Sequence, residues 1–209
     1  MSKAEKTRTY IIERSAPVFN IKGYSGTSLN DLMLATGLTK GAIYGNFRDK
    51  DEVALAVFKH SVKSLNKRVA ECLAAKKTSI EKLVAYTDFY RTNWRKIFEK
   101  GGCPVQNASV EADDNILFLK KHVQASIKSW ALNLSKIIES GKVSGEVRQD
   151  IIARDYAYTI ISTVEGGILL SKIMNDKKFL FAALDRILAI INTEIQNNPP
   201  SPGPRRIHV

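Results

Sequence analysis

The stretch of sequence that decides the fold is residues 28–47, which reads SLNDLMLATGLTKGAIYGNF. Ser28 with Asp31 three residues later is typical of a helix start, and apolar residues then recur at helical spacing. Gly37 supplies the turn, because glycine readily adopts the left-handed conformation that follows a helix. Thr39 is placed to cap a second, short helix that extends to about Phe47. Helix, glycine turn and helix is the helix-turn-helix arrangement.

The second helix of this motif has the residue types expected of a DNA reader. Gly41 and Ala42 lie on its first turn, and their small size lets that end of the helix approach base edges in the major groove. Lys40 and Tyr44 can reach phosphates on either side. Lys50, in the first turn of the following helix, adds a positive charge beside backbone N–H groups that already favour phosphate. The motif therefore predicts binding to double-stranded DNA.

The rest of the chain also has helical periodicity, with no convincing strand and no internal repeat. We predict further helices over residues 3–22, 49–76, 78–100, 107–140 (with a kink at 113–114), 151–170 and 179–195. The predicted fold is therefore all-α. We predict that residues 1–48 form a three-helix DNA-binding domain and that residues 49–197 form a second, helical domain. The proline-rich segment 198–209 is predicted to be a disordered tail.

The charge of the chain points to a polyanionic partner. The formal net charge is +11, and residues 1–100 hold 19 Lys and Arg against 10 Asp and Glu. Nucleic acid and acidic membrane are both candidate partners for such a chain. A solvated basic helix face would have the same composition, so charge alone does not decide between these interpretations.

The sequence gives little support for an enzyme, a metalloprotein or a membrane protein. Cys72 and Cys103 have no metal or redox spacing, and His60, His122 and His208 belong to no nucleophile or metal motif. We predict no catalytic residue, no metal and no cofactor. Because we find no signal peptide and no apolar run of roughly 18 residues, we also expect a cytoplasmic chain without a membrane partner.

The order and spacing of residues 8–58 are similar to those of the TetR family of transcriptional regulators. The matching positions are Ile11-Ile12, Phe19, Gly23-Tyr24, Thr27-Ser28, Asp31-Leu32, Gly37, Thr39 to Tyr44, Phe47 and Lys50. Asn46 stands where many members have histidine, and Pro17 interrupts the first helix.

The resemblance assigns roles on the DNA. It implies contacts to the DNA backbone by Thr27, Tyr44 and Lys50, with Ser28 beside them. It places Lys40, Gly41, Ala42 and Gly45 facing the groove, and Ile43, Phe47 and Leu32 in the core. Thr39 is either a DNA contact or only a helix cap.

For the second domain, the resemblance implies a helical bundle with a dimer interface and an enclosed effector pocket. The last two helices are apolar on more than one face, which favours cover by a second subunit. The predicted interface is Ile161, Ile168, Leu184, Leu188 and Ile191. The aromatic candidates for the pocket are Phe58, Phe89, Tyr90, Trp94, Phe98, Phe118, Trp130 and Tyr158, each of which could instead be core packing. Glu165 in an apolar run is either a ligand for a cationic group or a half-exposed residue at the bundle edge.

These features predict a homodimeric transcriptional repressor that a small-molecule effector, of unknown identity, releases from a palindromic operator. Two alternatives remain open at this point. In the first, the chain is a constitutive DNA-binding protein without a ligand. In the second, it is a helical enzyme whose site has no recognisable motif.

Overall fold

The computed structural model describes residues 2–114 and 116–197, without the side chain of Asp114. The tail predicted for residues 198–209 lies outside the described residues. Within them the chain is helical and has no strand, only an isolated bridge between Val147 and Gln196. The helices are α1 (Lys3–Gly26), α2 (Leu29–Thr36), α3 (Lys40–Tyr44), α4 (Lys50–Ala74), α5 (Ser79–Glu99), α6 (Pro104–Asp114), α7 (Leu117–Val143), α8 (Ala153–Ile173) and α9 (Lys178–Ile190), followed by a π-helical turn (Ile191–Ile195). The all-α prediction is confirmed.

The first helix continues past Pro17 but breaks at Gly23. Gly23 has a φ of 74°, in the left-handed region that favours glycine, and the chain then makes one further turn to Gly26. A Cβ at Gly23 would lie 2.3 Å from a carboxylate oxygen of Glu111, so the break also allows α6 to approach closely. The predicted end of the first helix is therefore the point at which two helical segments meet.

Helices α1 to α3 share a hydrophobic core with the beginning of α4. The fully buried residues Ile11, Leu32 and Ile43 pack with Val53 and Val57 of α4. The rest of α4 contributes Phe58 and Val62 to the core of the bundle. Since α4 belongs to both cores, the boundary predicted between residues 48 and 49 falls at the start of the helix that joins the two domains.

The helix predicted over residues 107–140 is two helices. It begins earlier, at Pro104, and α6 ends at Asp114 before α7 begins at Leu117. Helix α6 lies against α1, α4 and α7, so it contacts both the DNA-binding domain and the bundle. None of the helices in the described part of the chain is long and apolar enough to cross a membrane.

The last two helices pack mainly against each other and the rest of their own subunit. Ile168, Leu184 and Ile191 are fully buried, and Ile161 nearly so, within the single chain. A Cβ at Gly167 would lie 2.8 Å from the Cβ of Ala183, so this glycine allows α8 and α9 to approach closely.

The assignment of Ile161, Ile168, Leu184 and Ile191 to a dimer interface is therefore corrected. Their wide apolar arcs are covered by the subunit itself, and a side chain without exposed area has none left to bury against a partner. Leu188 keeps partial exposure. The exposed apolar side chains lie instead at the end of α8, where Leu169, Leu170, Ile173 and Met174 reach solvent.

Candidate nucleic-acid interface and effector cavity

Hydrogen bonds at the helix ends define the helix-turn-helix. The Ser28 hydroxyl accepts from the N–H of Asp31, and the Asp31 carboxylate accepts from the N–H of Ser28, which completes the capping box. Gly37 ends α2 in the left-handed conformation, with a φ of 69°. The Thr39 hydroxyl accepts from the N–H of Ala42 at 3.2 Å. Thr39 thus caps α3, which is one of the two roles predicted for it, and because it is also exposed its DNA contact stays a prediction.

The face of α3 that the sequence assigns to the groove is open. Lys40, Gly41 and Gly45 are exposed, and a Cβ placed on Gly41 would meet no atom within 4 Å. On the opposite side Ile43 and Phe47 are buried in the core. The small residues therefore form a surface with space in front of it, supported by a rigid base.

The predicted contact of Thr27 to the DNA backbone is corrected. It is only 1% exposed, its hydroxyl donates to the carbonyl of Gly23 at 2.6 Å, and its N–H donates to the carbonyl of Tyr24. These bonds use both donors to close the turn after the Gly23 break. The exposed neighbour Ser28 is the residue of this pair that can face DNA.

Lys50 and Tyr24 form a cation–π contact at the start of α4. The Lys50 ammonium lies 4.3 Å from the centre of the Tyr24 ring, and the Tyr24 hydroxyl donates to Asp51. Burial, together with the hydrogen bond to Asp51, raises the pKa of Tyr24. The ring holds the Lys50 charge at the N-terminus of α4, while Tyr44 of α3 stays half-buried.

Two arginines beside α3 were absent from the predicted site. Arg48 is exposed between α3 and α4, where it pairs with Asp49 at 2.7 Å. Arg8 pairs with Glu52 at 2.6 Å and stacks 4.0 Å from the centre of the Phe47 ring. Arg8 therefore holds α1 against the α3–α4 connection. Arg48 adds a cation next to α3, the helix predicted to read DNA and called the reader below. The sequence signal that could have identified Arg48 was a positive charge directly after Phe47.

Helix α6 is bonded to α1 by two side chains one turn apart. The Glu111 carboxylate accepts from the N–H of Tyr24 at 2.7 Å and from the N–H of Ser25 at 2.9 Å. The Asn107 amide donates to the carbonyl of Asn20 at 2.9 Å. The segment that leads into the α2 cap is thus held from the bundle side.

The bundle contains a cavity of about 450 Å³ between α4, α5 and α7. One face of α5 supplies Lys82, Tyr86 and Tyr90 at intervals of four residues. Trp130 forms part of the opposite wall, and its ring N–H donates to Asn66 at 2.6 Å. The remaining wall is mainly aliphatic, from Leu65, Val69, Ala70, Leu73, Ala74, Leu134 and Ile137, with the amide of Asn133. This combination of apolar walls and a few polar groups is typical of a small-molecule site.

The structure brings Trp130 and Tyr90 of the predicted pocket residues to this cavity. Phe89 is buried beneath Arg68, and Trp94 and Phe98 pack edge to face with ring centres 5.6 Å apart. Phe58 and Phe118 belong to the hydrophobic cores, and Tyr158 is 40% exposed on α8. None of these six residues lines the cavity, so their assignment to it is corrected: Phe58, Phe89, Trp94, Phe98, Phe118 and Tyr158. Tyr86 and Lys82 were missed, although their spacing from Tyr90 was a readable signal.

Glu165 is half-buried, as one of the two interpretations of its role expected, but its carboxylate is turned into the protein. Its Oε2 atom is buried and has no hydrogen-bond partner among the described residues. The Cys103 thiol lies against the carboxylate, but a thiol is a weak donor. Burial raises the pKa of Glu165 to about 7. Burial raises the pKa of both Tyr86 and Tyr90, and the charge of Glu165 adds to this effect.

The buried carboxylate should make stability depend on pH. The unfolded chain loses this proton near the ordinary 4.5 and the native chain near 7, so ionisation destabilises the fold increasingly between these values and fully above them. Glu165→Gln removes that cost. We expect its stability gain over wild type to be near zero at pH 4 and to reach roughly 1–3 kcal/mol at pH 8. Denaturant unfolding at both pH values measures this, with the exposed Glu99→Gln as control. An equal gain at both pH values would contradict the assignment.

The sequence matches two family profiles. Residues 11–57 match "Bacterial regulatory proteins, tetR family", and residues 79–190 match "Tetracyclin repressor-like, C-terminal domain". The first match covers the helix-turn-helix and the second covers the bundle with its cavity.

Similar proteins cover nearly the whole chain. A TetR-family transcriptional regulator from Cytophaga hutchinsonii is 38% identical, with a TM-score of 0.89 over 94% of this chain and 98% of that one. A TetR transcriptional regulator from Chloroflexus aurantiacus is 32% identical, with a TM-score of 0.87 over 94% and 99%. The HTH-type transcriptional repressor DhaR of Mycobacterium sp. (strain GP1) is 23% identical over 88% of this chain and 89% of that protein. The open reader surface, the bundle and these matches agree: the chain belongs to the TetR family of helix-turn-helix, DNA-binding transcriptional regulators.

Proposed function

We propose that this regulator is a dimeric repressor that leaves its operator when a small molecule fills the α4–α5–α7 cavity. The observation that carries the proposal is the double attachment of α6. At one end Gln106 donates to the backbone carbonyl of Glu165 at 2.7 Å, and at the other Glu111 holds the N–H groups of Tyr24 and Ser25. One helix thus joins the interior of the bundle to the segment that leads into α2. The similarity to a repressor, DhaR, supports repression over activation.

The cavity has two connections to the reader. Helix α4 forms one wall of the cavity and begins beside the reader at Lys50, so a tilt of α4 moves the reader directly. Helix α6 holds the end of α1. A ligand must bind the non-DNA arrangement better, because equal affinity for both arrangements shifts nothing. Because its target is chromosomal DNA, the proposal also places the protein in the cytoplasm.

The dimer of this proposal uses the exposed end of α8. Ile173 is 75% exposed and lies beside Leu169, Leu170 and Met174. We expect wild type to sediment at about twice 23.3 kDa at micromolar concentration, and Ile173→Asp to sediment as a folded monomer, because a buried charge in the interface is costly. Leu132→Asp, at an exposed apolar position on α7, is the control. A dimer that tolerates Ile173→Asp would place the interface elsewhere.

Lys50 is expected to contact phosphate. Lys50→Ala should weaken binding to all DNA sequences by a similar factor and lower the slope of log affinity against log salt by about one. Lys59→Ala removes the same charge from the exposed surface of α4 further from the reader, and should change the slope less. If both variants keep the wild-type slope, Lys50 makes no phosphate contact.

The experiment that tests the function starts with DNA selected by wild type from a random pool. A two-fold protein should select a palindrome with half-sites about 34–36 Å apart or a multiple of that distance. A compound library is then screened for release of this DNA. Coupling of about 1–3 kcal/mol would weaken operator binding by roughly 5- to 150-fold. A screen without any releasing compound would favour a constitutive DNA-binding protein. If the protein selects no DNA at all, the alternative of a helical enzyme would be favoured instead.

A further inference from the structure

The α4–α5–α7 cavity has a single charged group in its wall. Among the described residues that line it, Lys82 of α5 is the only charged side chain, and no aspartate or glutamate contributes. Most of the other lining side chains are aliphatic or aromatic. In an apolar cavity the few polar groups fix the orientation of a ligand, so Lys82 decides most about which ligand chemistry the cavity accepts.

The polar groups at the other end of the cavity are bonded to one another. The hydroxyls of Tyr86 and Tyr90 lie 3.4 Å apart, and both residues are buried. The ring N–H of Trp130 donates to Asn66 at 2.6 Å. Lys82 lies about 12 Å from Tyr90 along the axis of α5, since each helical residue advances about 1.5 Å. The buried end therefore needs no charged partner from a ligand.

No described carboxylate pairs with Lys82. Glu81 and Glu146 accept from backbone N–H groups at the start of α5 and just before it. Glu71 and Glu139 each pair with a lysine one turn away on their own helix. Lys82 also lies in the first turn of α5, where the helix dipole disfavours a cation and favours an anion. Its ammonium group therefore lacks the anion that its position favours.

We propose that the ligand of this cavity is an amphipathic organic acid, whose carboxylate pairs with Lys82 and whose apolar body extends along α5 towards Tyr90. This inference rests on the proposed function, since it names the class of effector for the same cavity. Lys82 is half-buried, whereas Tyr86 and Tyr90 are buried. The charged end of the ligand would thus stay near solvent while its body is enclosed, which avoids the cost of burying a carboxylate away from water.

Cationic and neutral ligands fit this lining less well. A cation would meet no carboxylate in the wall and would be repelled by Lys82. A neutral apolar molecule would bury the same area but leave the ammonium group without an anion. If Lys82 only covers the cavity with its methylene chain and keeps its charge in water, a neutral ligand should bind as tightly as an acid.

Three probes with the same ten-carbon chain separate these choices: decanoate, decanol and decylamine, each kept below its micelle concentration. Binding is followed through Trp130, which lines the cavity, in full-length protein carrying Trp94→Phe so that a single tryptophan reports. We expect decanoate to bind at least about tenfold more tightly than decanol, because hydrogen bonds between charged groups are stronger than neutral ones. Decylamine should bind more weakly than decanol.

Three variants test whether Lys82 causes this preference. Lys82→Gln should bring decanoate down to the affinity of decanol, whereas Lys82→Arg should keep the preference because it keeps the charge. Lys77→Gln removes the charge of an exposed lysine that does not line the cavity, and it should also keep the preference. The melting temperature of each variant is recorded to verify that it is folded.

Release of the selected DNA is measured in the same samples. Decanoate binding that depends on Lys82 supports the inference even if no DNA is released, in which case the proposed function fails instead. Four results would overturn the inference: tighter binding of decylamine, equal binding of decanoate and decanol, a preference for decanoate that persists in Lys82→Gln, or no binding of any probe.

Discussion

Gly41→Leu should reduce affinity for the selected operator by about a hundredfold or more without destabilising the protein. The position is exposed, and a Cβ there meets no atom of the chain within 4 Å. Replacing glycine in a helix even adds up to about 1 kcal/mol of helix propensity. On DNA, however, the leucine would occupy the space through which α3 approaches base edges, and each well-formed pairing of a side chain with a base is worth about 1–3 kcal/mol. Competition binding at fixed salt and thermal unfolding measure the two effects.

The control for Gly41→Leu is Thr92→Leu, which adds the same side chain at an exposed position of α5 in the bundle. We expect that variant to bind DNA like wild type. Weak non-specific binding should survive in Gly41→Leu, because phosphate contacts outside α3 remain. An operator affinity within twofold of wild type would mean that the first turn of α3 does not enter the groove.

Glu111→Ala should uncouple the bundle from the reader. The change removes a carboxylate that accepts from two backbone N–H groups, those of Tyr24 and Ser25. Hydrogen bonds to a charged group contribute about 1.5–3 kcal/mol, and partial exposure of this pair puts the expected loss of stability at the lower end. We expect amide exchange at Tyr24 and Ser25 to accelerate by about tenfold. A releasing compound should then change operator affinity by less than about threefold, against the roughly 5- to 150-fold expected for wild type.

Val110→Ala provides the comparison on the same helix. Val110 is 71% exposed, so this variant should keep both amide protection and the ligand response. If Glu111→Ala accelerates exchange but retains the full response, α6 holds α1 without transmitting the ligand signal. The tilt of α4 would then be the remaining connection between cavity and reader.

The helix-turn-helix was readable from the sequence because local rules determine it. Ser28 with Asp31, Gly37 and Thr39 each act on backbone groups within a few residues. The alternation of Leu32 and Ile43 with exposed residues gave the buried side of each helix. The resemblance to the TetR family then assigned DNA binding to the same stretch, because the spacing of these residues positions α3.

The bundle was less readable because its contacts join residues far apart in the chain. The apolar arcs of α8 and α9 look the same whether a partner or the same subunit covers them, and the burial of Ile168, Leu184 and Ile191 within one chain decided in favour of the subunit. Thr27 was likewise assigned to DNA, whereas the break at Gly23 turns its hydroxyl inward.

Sequence alone therefore determined the all-α class, the reader and its supporting core, where each interaction spans a few residues. Tertiary structure alone decided which side chains line the cavity, which apolar face stays exposed, and that α6 joins Glu165 to the N–H groups of Tyr24 and Ser25. The physical reason is that periodicity specifies which side of a helix is buried but not which neighbour covers it. Glu165 combines both: its place in an apolar run was visible in the sequence, and its unpaired, buried oxygen emerged only when α8 packed against the rest of the bundle.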